Sequence, residues 1–201
     1  MGSNTWGQLG DGTGTQRTSP VQVATGVSAV AAGDNHSLFL KTDGTLWAMG
    51  YNGSGQLGNG TTTSPNYPVQ VASGVRAVAA GSSHSLYVKT DGTLWAMGRN
   101  NEGQLGDGTT TQRNSPVQVA TGVSAVAARR DHSLFLKTDG TLWAMGYNGS
   151  GQLGDGTMIN RSTPVQLATG VSAVAGGFYH SLYVKTDGTL WAMGDNTYGQ
   201  L

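Results

Sequence analysis

Four histidines, His36, His84, His132 and His180, recur once per repeat of the chain, each at the head of a His-Ser-Leu. Equivalent positions around an axis could converge on a metal, and imidazole is a common zinc ligand. No carboxylate stands at metal-ligand spacing from them, and every copy carries the residue. A hydrogen bond from each histidine to a neighbouring loop, fixing the break before a strand, is the stronger reading. Asp131-His132-Ser133 holds the residue types of a nucleophilic triad, yet neighbours on an extended chain point to alternate faces and cannot assemble one. Gly10-Asp11-Gly12-Thr13 and its copies resemble fragments of calcium or phosphate loops. They lack the EF-hand order, the P-loop lysine and the following helix, so turn chemistry explains them better. With Glu102 the single glutamate and the aspartates mostly in turns, no carboxylate pair is placed for acid/base work. These residues predict no catalytic site, no metal and no cofactor: the chain reads as a non-enzyme.

The elements that carry them repeat without drift. Gln8, Gln56, Gln104, Gln152 and Gln200 each sit in Gly-Gln-Leu, 48 residues apart. The repeats run 8–55, 56–103, 104–151 and 152–199, with equivalent terminal segments 1–9 and 193–201. Such a period means one supersecondary unit per copy, able to bury its apolar surface only against its neighbours. Within the first copy, Pro20-Val21-Gln22-Val23, Val27–Ala32, His36–Leu40 and Thr45–Met49 are short β-rich runs. Between the last two, Lys41-Thr42-Asp43-Gly44 is a tight hairpin signal. No helical period occurs, and four short strands per copy make a propeller blade. Leu38 and Leu40 oppose Phe39, and Leu46 and Ala48 oppose Trp47 and Met49, so both faces are apolar and must be covered, as in a blade between two others. The Val/Ala/Ser run suits a crowded innermost strand. Trp47, Trp95, Trp143 and Trp191 read as inter-blade packing.

Composition narrows the partners. Formal net charge is zero and only 11% of residues are charged, while 37% are hydrophobic, which fits a folded protein. No basic run offers an electrostatic footprint for nucleic acid, and no apolar stretch is long enough for a membrane span. Cysteine is absent, so disulfides and thiolate chemistry are excluded.

Gly-x-x-His-Ser-Leu, Asp-Gly-Thr-Leu-Trp-Ala-Met-Gly and Gly-Gln-Leu-Gly-Asp-Gly-Thr, recurring in register along the chain, resemble the repeats of the regulator of chromosome condensation family. The resemblance implies a β-propeller, in that family typically seven-bladed; this chain has four repeats. Family activities include guanine-nucleotide exchange on a small GTPase, chromatin binding and, in bacterial relatives, β-lactamase inhibition. They reside in loops that match nothing here residue by residue, so the resemblance does not carry them over.

Two features remain to be placed. An unclosed array would expose two apolar blade faces. Four blades could close alone, at about 90° each, or two chains could form an eight-bladed ring at about 45°; both lie within the range of known propellers. The likeness of copies one and three, and of two and four, favours the homodimer. The second feature is divergence on one face. Lys-Thr-Asp-Gly recurs unchanged at Lys41, Lys89, Lys137 and Lys185, whereas the opposite loops differ. After the second run they read Gly33-Asp34-Asn35, Gly81-Ser82-Ser83, Arg129-Arg130-Asp131 and Gly177-Phe178-Tyr179. Constant scaffold with one-sided variation is how a binding surface is built, and Arg and aromatic residues dominate interface hot spots. The candidate partner-binding residues are Arg99, Glu102, Arg129, Arg130, Asp131, Met158, Ile159, Arg161, Phe178 and Tyr179. The function predicted is a scaffold binding a protein or peptide, with no role toward nucleic acid or membrane. The alternative is a structural or engineered self-assembling repeat without a dedicated ligand.

Overall fold

Alternating short apolar runs and Asp-Gly turns fold the chain into antiparallel sheets, with no helix, in a computed structural model that describes residues 1–201. The first blade holds β1 (Val27–Ala32), β2 (His36–Lys41), β3 (Leu46–Gly50) and β4 (Val69–Ala72), in that spatial order. The second holds β5 (Val75–Ala80), β6 (His84–Lys89), β7 (Leu94–Gly98) and β8 (Arg113–Ala120). The third holds β9 (Val123–Arg129), β10 (His132–Lys137), β11 (Leu142–Gly146) and β12 (Arg161–Ala168). The fourth has only three strands, β13 (Val171–Gly176), β14 (His180–Lys185) and β15 (Leu190–Gly194).

Each complete blade takes its outer strand from the Pro-Val-Gln run of the following copy. The register is the same every time: Trp47 faces Gln70, Trp95 faces Gln118 and Trp143 faces Gln166. The Pro20–Val23 run, first in the chain, has no preceding blade and belongs to no sheet. Successive first strands pack on one another, β1 on β5, β5 on β9 and β9 on β13, which places the Val/Ala/Ser strands innermost.

The core lies between blades. Leu38, Leu40, Leu46, Ala48 and Leu57 of one unit meet Val75, Tyr87 and Met97 of the next, and the same residue types recur at the two later junctions. Leu57, Leu105 and Leu153, from the Gly-Gln-Leu marks, are fully buried there. Trp95 and Trp143 pack against these junction cores, each over its cross-strand partner ring and under a lysine.

Candidate partner-binding face

Antiparallel order puts the β1–β2 and β3–β4 connections on one face. A backbone bond from Tyr51 to the Asn35 carbonyl, 2.8 Å, ties those loops together, while Thr42 bonds to Gly26 on the opposite face at 2.8 Å. Much of the variable-face loop is nevertheless constant scaffold. Asn100 is fully buried; its amide nitrogen donates to Asp107 Oδ1, Thr109 O and Thr111 O at 3.0–3.1 Å, and its oxygen accepts the Leu105 N–H. Asn4, Asn52 and Asn148 do the same work in their copies. These asparagines satisfy a long loop's backbone from inside, since buried polar groups must find partners.

Arg161 belongs to this scaffold. Its guanidinium sits 2.6 Å from Asp155, as Arg113 does from Asp107, and Arg17 is 2.7 Å from Asp11. Burial works against ionisation of Asp155, but the Thr157 hydroxyl and the Arg161 guanidinium hold its carboxyl down at about 2. A sequence signal existed: Asp and Arg are six residues apart in three copies, and where Asn59 replaces the aspartate, Pro65 replaces the arginine. Asp107→Asn should therefore cost about 1 kcal/mol, limited by solvent screening at the outer end of Arg113. A thermal midpoint within a degree of the parent would contradict this, because that loss corresponds to roughly 2–4 °C in a chain of this size.

The third blade's inner loop is rebuilt. At Gly81 a Cβ would collide with the His84 ring, and the same holds at Gly33 and Gly177 with their histidines. Arg129 stands at the equivalent position, and it cannot keep that path. Instead β9 runs one residue further, Arg129 pairs with His132, and Arg130-Asp131 close the hairpin. Arg130 takes φ 37°, the single non-glycine residue in the left-handed region. Its guanidinium lies over both Phe178 and Tyr179, 4.4 and 4.2 Å from the ring centroids. Asp131 accepts from Gln104 Nε2 at 3.2 Å and lies 3.6 Å from Arg99 and 3.4 Å from Arg130.

Arg99, Arg130, Asp131, Phe178 and Tyr179 thus form one cluster across three blades. Tyr147, which has the same residue type as Tyr51 of the first copy and so carries no signal of divergence, joins it 6.2 Å from Tyr179. Phe178 remains 46% exposed. Arg129 is exposed on β9. Met158 and Ile159, 72% and 64% exposed, lie on the outer loop, next in sequence to Asn160, which donates to Glu102 at 2.6 Å. The candidates therefore fall into an inner aromatic–arginine cluster and an outer apolar tip, with Arg161 apart in its own ion pair.

The histidines do not converge for coordination. His36, His84 and His132 each contact the serine of the next blade, Ser85, Ser133 and Ser181, through Nε2 at 2.8–3.0 Å. Each of those serines gives its own proton to a Gln carbonyl, so Nε2 carries the hydrogen toward it, and burial, with no partner at Nδ1, keeps the ring neutral. The partner is a strand 49 residues away, not the adjoining loop.

The family model for the RCC1-like domain matches residues 1–201. Human WBSCR16 superposes with a TM-score of 0.84 at 26% identity over 96% of this chain and 55% of its own. Yeast RCC1 (Prp20), solved bound to Kap60, gives 0.79 at 24% identity over 93% and 48%. Prp20p of Saccharomyces cerevisiae, solved with a description of its binding properties to Gsp1p and histones, gives 0.71 at 24% over 90% and 48%. The chain spans about half the length of these relatives.

Proposed function

Because the chain belongs to the RCC1-like family, we propose that it is a non-enzymatic propeller scaffold that binds a protein or peptide through its variable-loop face. The observation that supports this reading most is the inner cluster. Arg130-Asp131 and Phe178-Tyr179 stand where the other two copies carry the small residues Asp34-Asn35 and Ser82-Ser83, and Arg99 joins them from the second blade at the position that Tyr51 holds in the first. The blade core tolerates those small residues, so folding does not require the larger ones. A guanidinium packed over two aromatic rings is a half-desolvated anchor of the kind that dominates protein interfaces. Yeast RCC1, a fold relative, is itself bound by Kap60. Self-association into a homodimer is part of the same reading, since the terminal blades expose apolar faces.

The test is a comparison. A variant carrying Gly-Ser-Ser at 129–131 and at 177–179 should keep its β circular dichroism and thermal midpoint within a few degrees, yet lose at least tenfold in affinity for any partner captured by the parent. Equal affinity for that partner would remove the face from consideration. Absence of any partner, with defined oligomers, would favour a purely structural repeat protein.

A further inference from the structure

The seven arginines of the chain fall into two groups by what their guanidinium donors touch. Arg17, Arg113 and Arg161 donate to Asp11, Asp107 and Asp155 at 2.6–2.7 Å. Arg76 donates to the carbonyl of Lys89 in its own blade and to those of Val123 and Ser124 in the next. The guanidiniums of Arg99, Arg129 and Arg130 donate no hydrogen bond to the protein. Asp131 is the one carboxylate within ion-pair reach of them, and its contacts with Arg99 and Arg130, 3.6 and 3.4 Å, lack hydrogen-bond geometry. Arg129, exposed on β9, has no ionic partner. The rings of Phe178 and Tyr179 hold the Arg130 guanidinium in place but accept no hydrogen bond from it. Arg130 also keeps φ 37°, a turn that glycine would adopt without strain, and such outliers gather at functional sites. All three arginines belong to the second and third blades, each of which has a blade packed on either side.

Resting on the reading of this face as a binding surface, we infer that its partner is an acidic peptide segment whose Asp or Glu carboxylates dock on Arg99, Arg129 and Arg130. Three cations on adjoining loops around one carboxylate repel one another, and further carboxylates from a partner relieve that repulsion. A planar guanidinium presents paired N–H donors that match the two oxygens of a carboxylate, and such charge-assisted bonds are about twice as strong as neutral ones. The Arg130 group is already positioned by its rings, so a ligand meets it with little further ordering. Asp131 is itself anchored by Gln104 Nε2 at 3.2 Å and leaves most of the guanidinium donors open. A nucleic-acid strand asks instead for cations spaced along successive phosphates. Here the neighbouring arginines of the face, Arg113 and Arg161, are closed by Asp107 and Asp155. The four lysines lie on the opposite face, each ammonium 4.7–4.8 Å from a Trp ring centre. The free cations make one patch, not a track.

The probe is a fluorescein-labelled peptide, Gly-Glu-Glu-Phe-Glu-Glu-Gly, titrated with the full chain and read by anisotropy. The same peptide with Gln at every Glu, and a labelled oligothymidylate, are titrated beside it. Arg129→Gln/Arg130→Gly removes two of the guanidiniums and places a glycine in the left-handed turn, and Arg99→Gln is a second variant outside that turn. Lys89→Gln/Lys137→Gln removes two charges from the opposite face, and circular dichroism checks that each variant folds. The expected result is binding of the Glu peptide alone, weakened about tenfold or more by the double arginine variant, less by Arg99→Gln, and about twofold or less by the lysine variant. Equal weakening by the arginine and lysine pairs would overturn the assignment to these arginines, since net charge alone would then account for binding. Oligothymidylate bound more tightly than the peptide, and lost with the arginines, would overturn the acidic-peptide class in favour of nucleic acid. Failure of the peptide to bind would also overturn that class. The variable face then stands if the Gly-Ser-Ser variant still loses the partner captured by the parent, and falls too if that partner is retained.

Discussion

Between about pH 7 and pH 5 the chain is expected to lose on the order of 6 kcal/mol of folding stability, enough to unfold most molecules of an ordinary domain. The cause is three neutral histidines sealed between blades. Burial pushes His36 down to about 4, against the pull of Asp34. Burial holds His84 at about 3, with His36, His132 and Arg99 acting in the same direction. His132 lies at about 4 through burial, helped by His180. In the unfolded chain a histidine titrates near 6.5, so acid protonates that state first. Stability is complete above about pH 6.5 and falls as pH drops toward the folded values, by about 2 kcal/mol per histidine at pH 5. The loop aspartates add to this at lower pH with the same sign, because Asp107 and Asp155 are held below the usual carboxylate range in the folded chain. The measurement is the acid midpoint by circular dichroism at fixed protein concentration. His84→Gln, which keeps a donor for Ser133, should shift that midpoint to lower pH by about half a unit. An unchanged midpoint would mean that the histidine rungs do not govern acid stability.

Gly98→Ala should be comparably damaging, on the order of 3–5 kcal/mol, for a reason confined to one carbon atom. Gly98 ends β7 at φ +108°, a region that L side chains avoid. An added Cβ would stand 2.6 Å from the Ser83 carbonyl oxygen and 2.7 Å from the His84 Cα. Both are backbone atoms at the mouth of the histidine rung, so relief requires moving a strand rather than a side chain. Gly12→Ala is the matched control: φ is +78°, but nothing lies within 4 Å, and only the conformational cost of about 1 kcal/mol remains. Urea midpoints of the two variants separate the contributions. Near-equal losses would refute the steric argument and leave only the dihedral term. The same contact explains why Met-Gly closes each of the four Asp-Gly-Thr-Leu-Trp-Ala-Met-Gly runs.

The blade and its faces follow from the chain's local chemistry. Asp-Gly at Asp43-Gly44 sets a hairpin, apolar residues on both sides of β2 and β3 demand cover, and the Pro-Val-Gln run supplies an outer strand to the blade before it. These signals lie within a few residues of one another, and the 48-residue period repeats them in register. The ion pair of Arg161 with Asp155 was also readable, from the joint loss of Asp and Arg at Asn59 and Pro65. The partner of each histidine was not, because it depends on how one blade is set against the next, and the serine it finds lies 49 residues away. The turn at Arg130 was equally hidden: only the His-ring contact at Gly81 shows that a side chain at position 129 forces a new path, and only that path carries the guanidinium onto Phe178 and Tyr179. Local pattern therefore determined which segments are strands and which loops vary. The tertiary structure decided which side chains meet, because contacts between blades are set by their relative placement, which no pattern inside one repeat encodes.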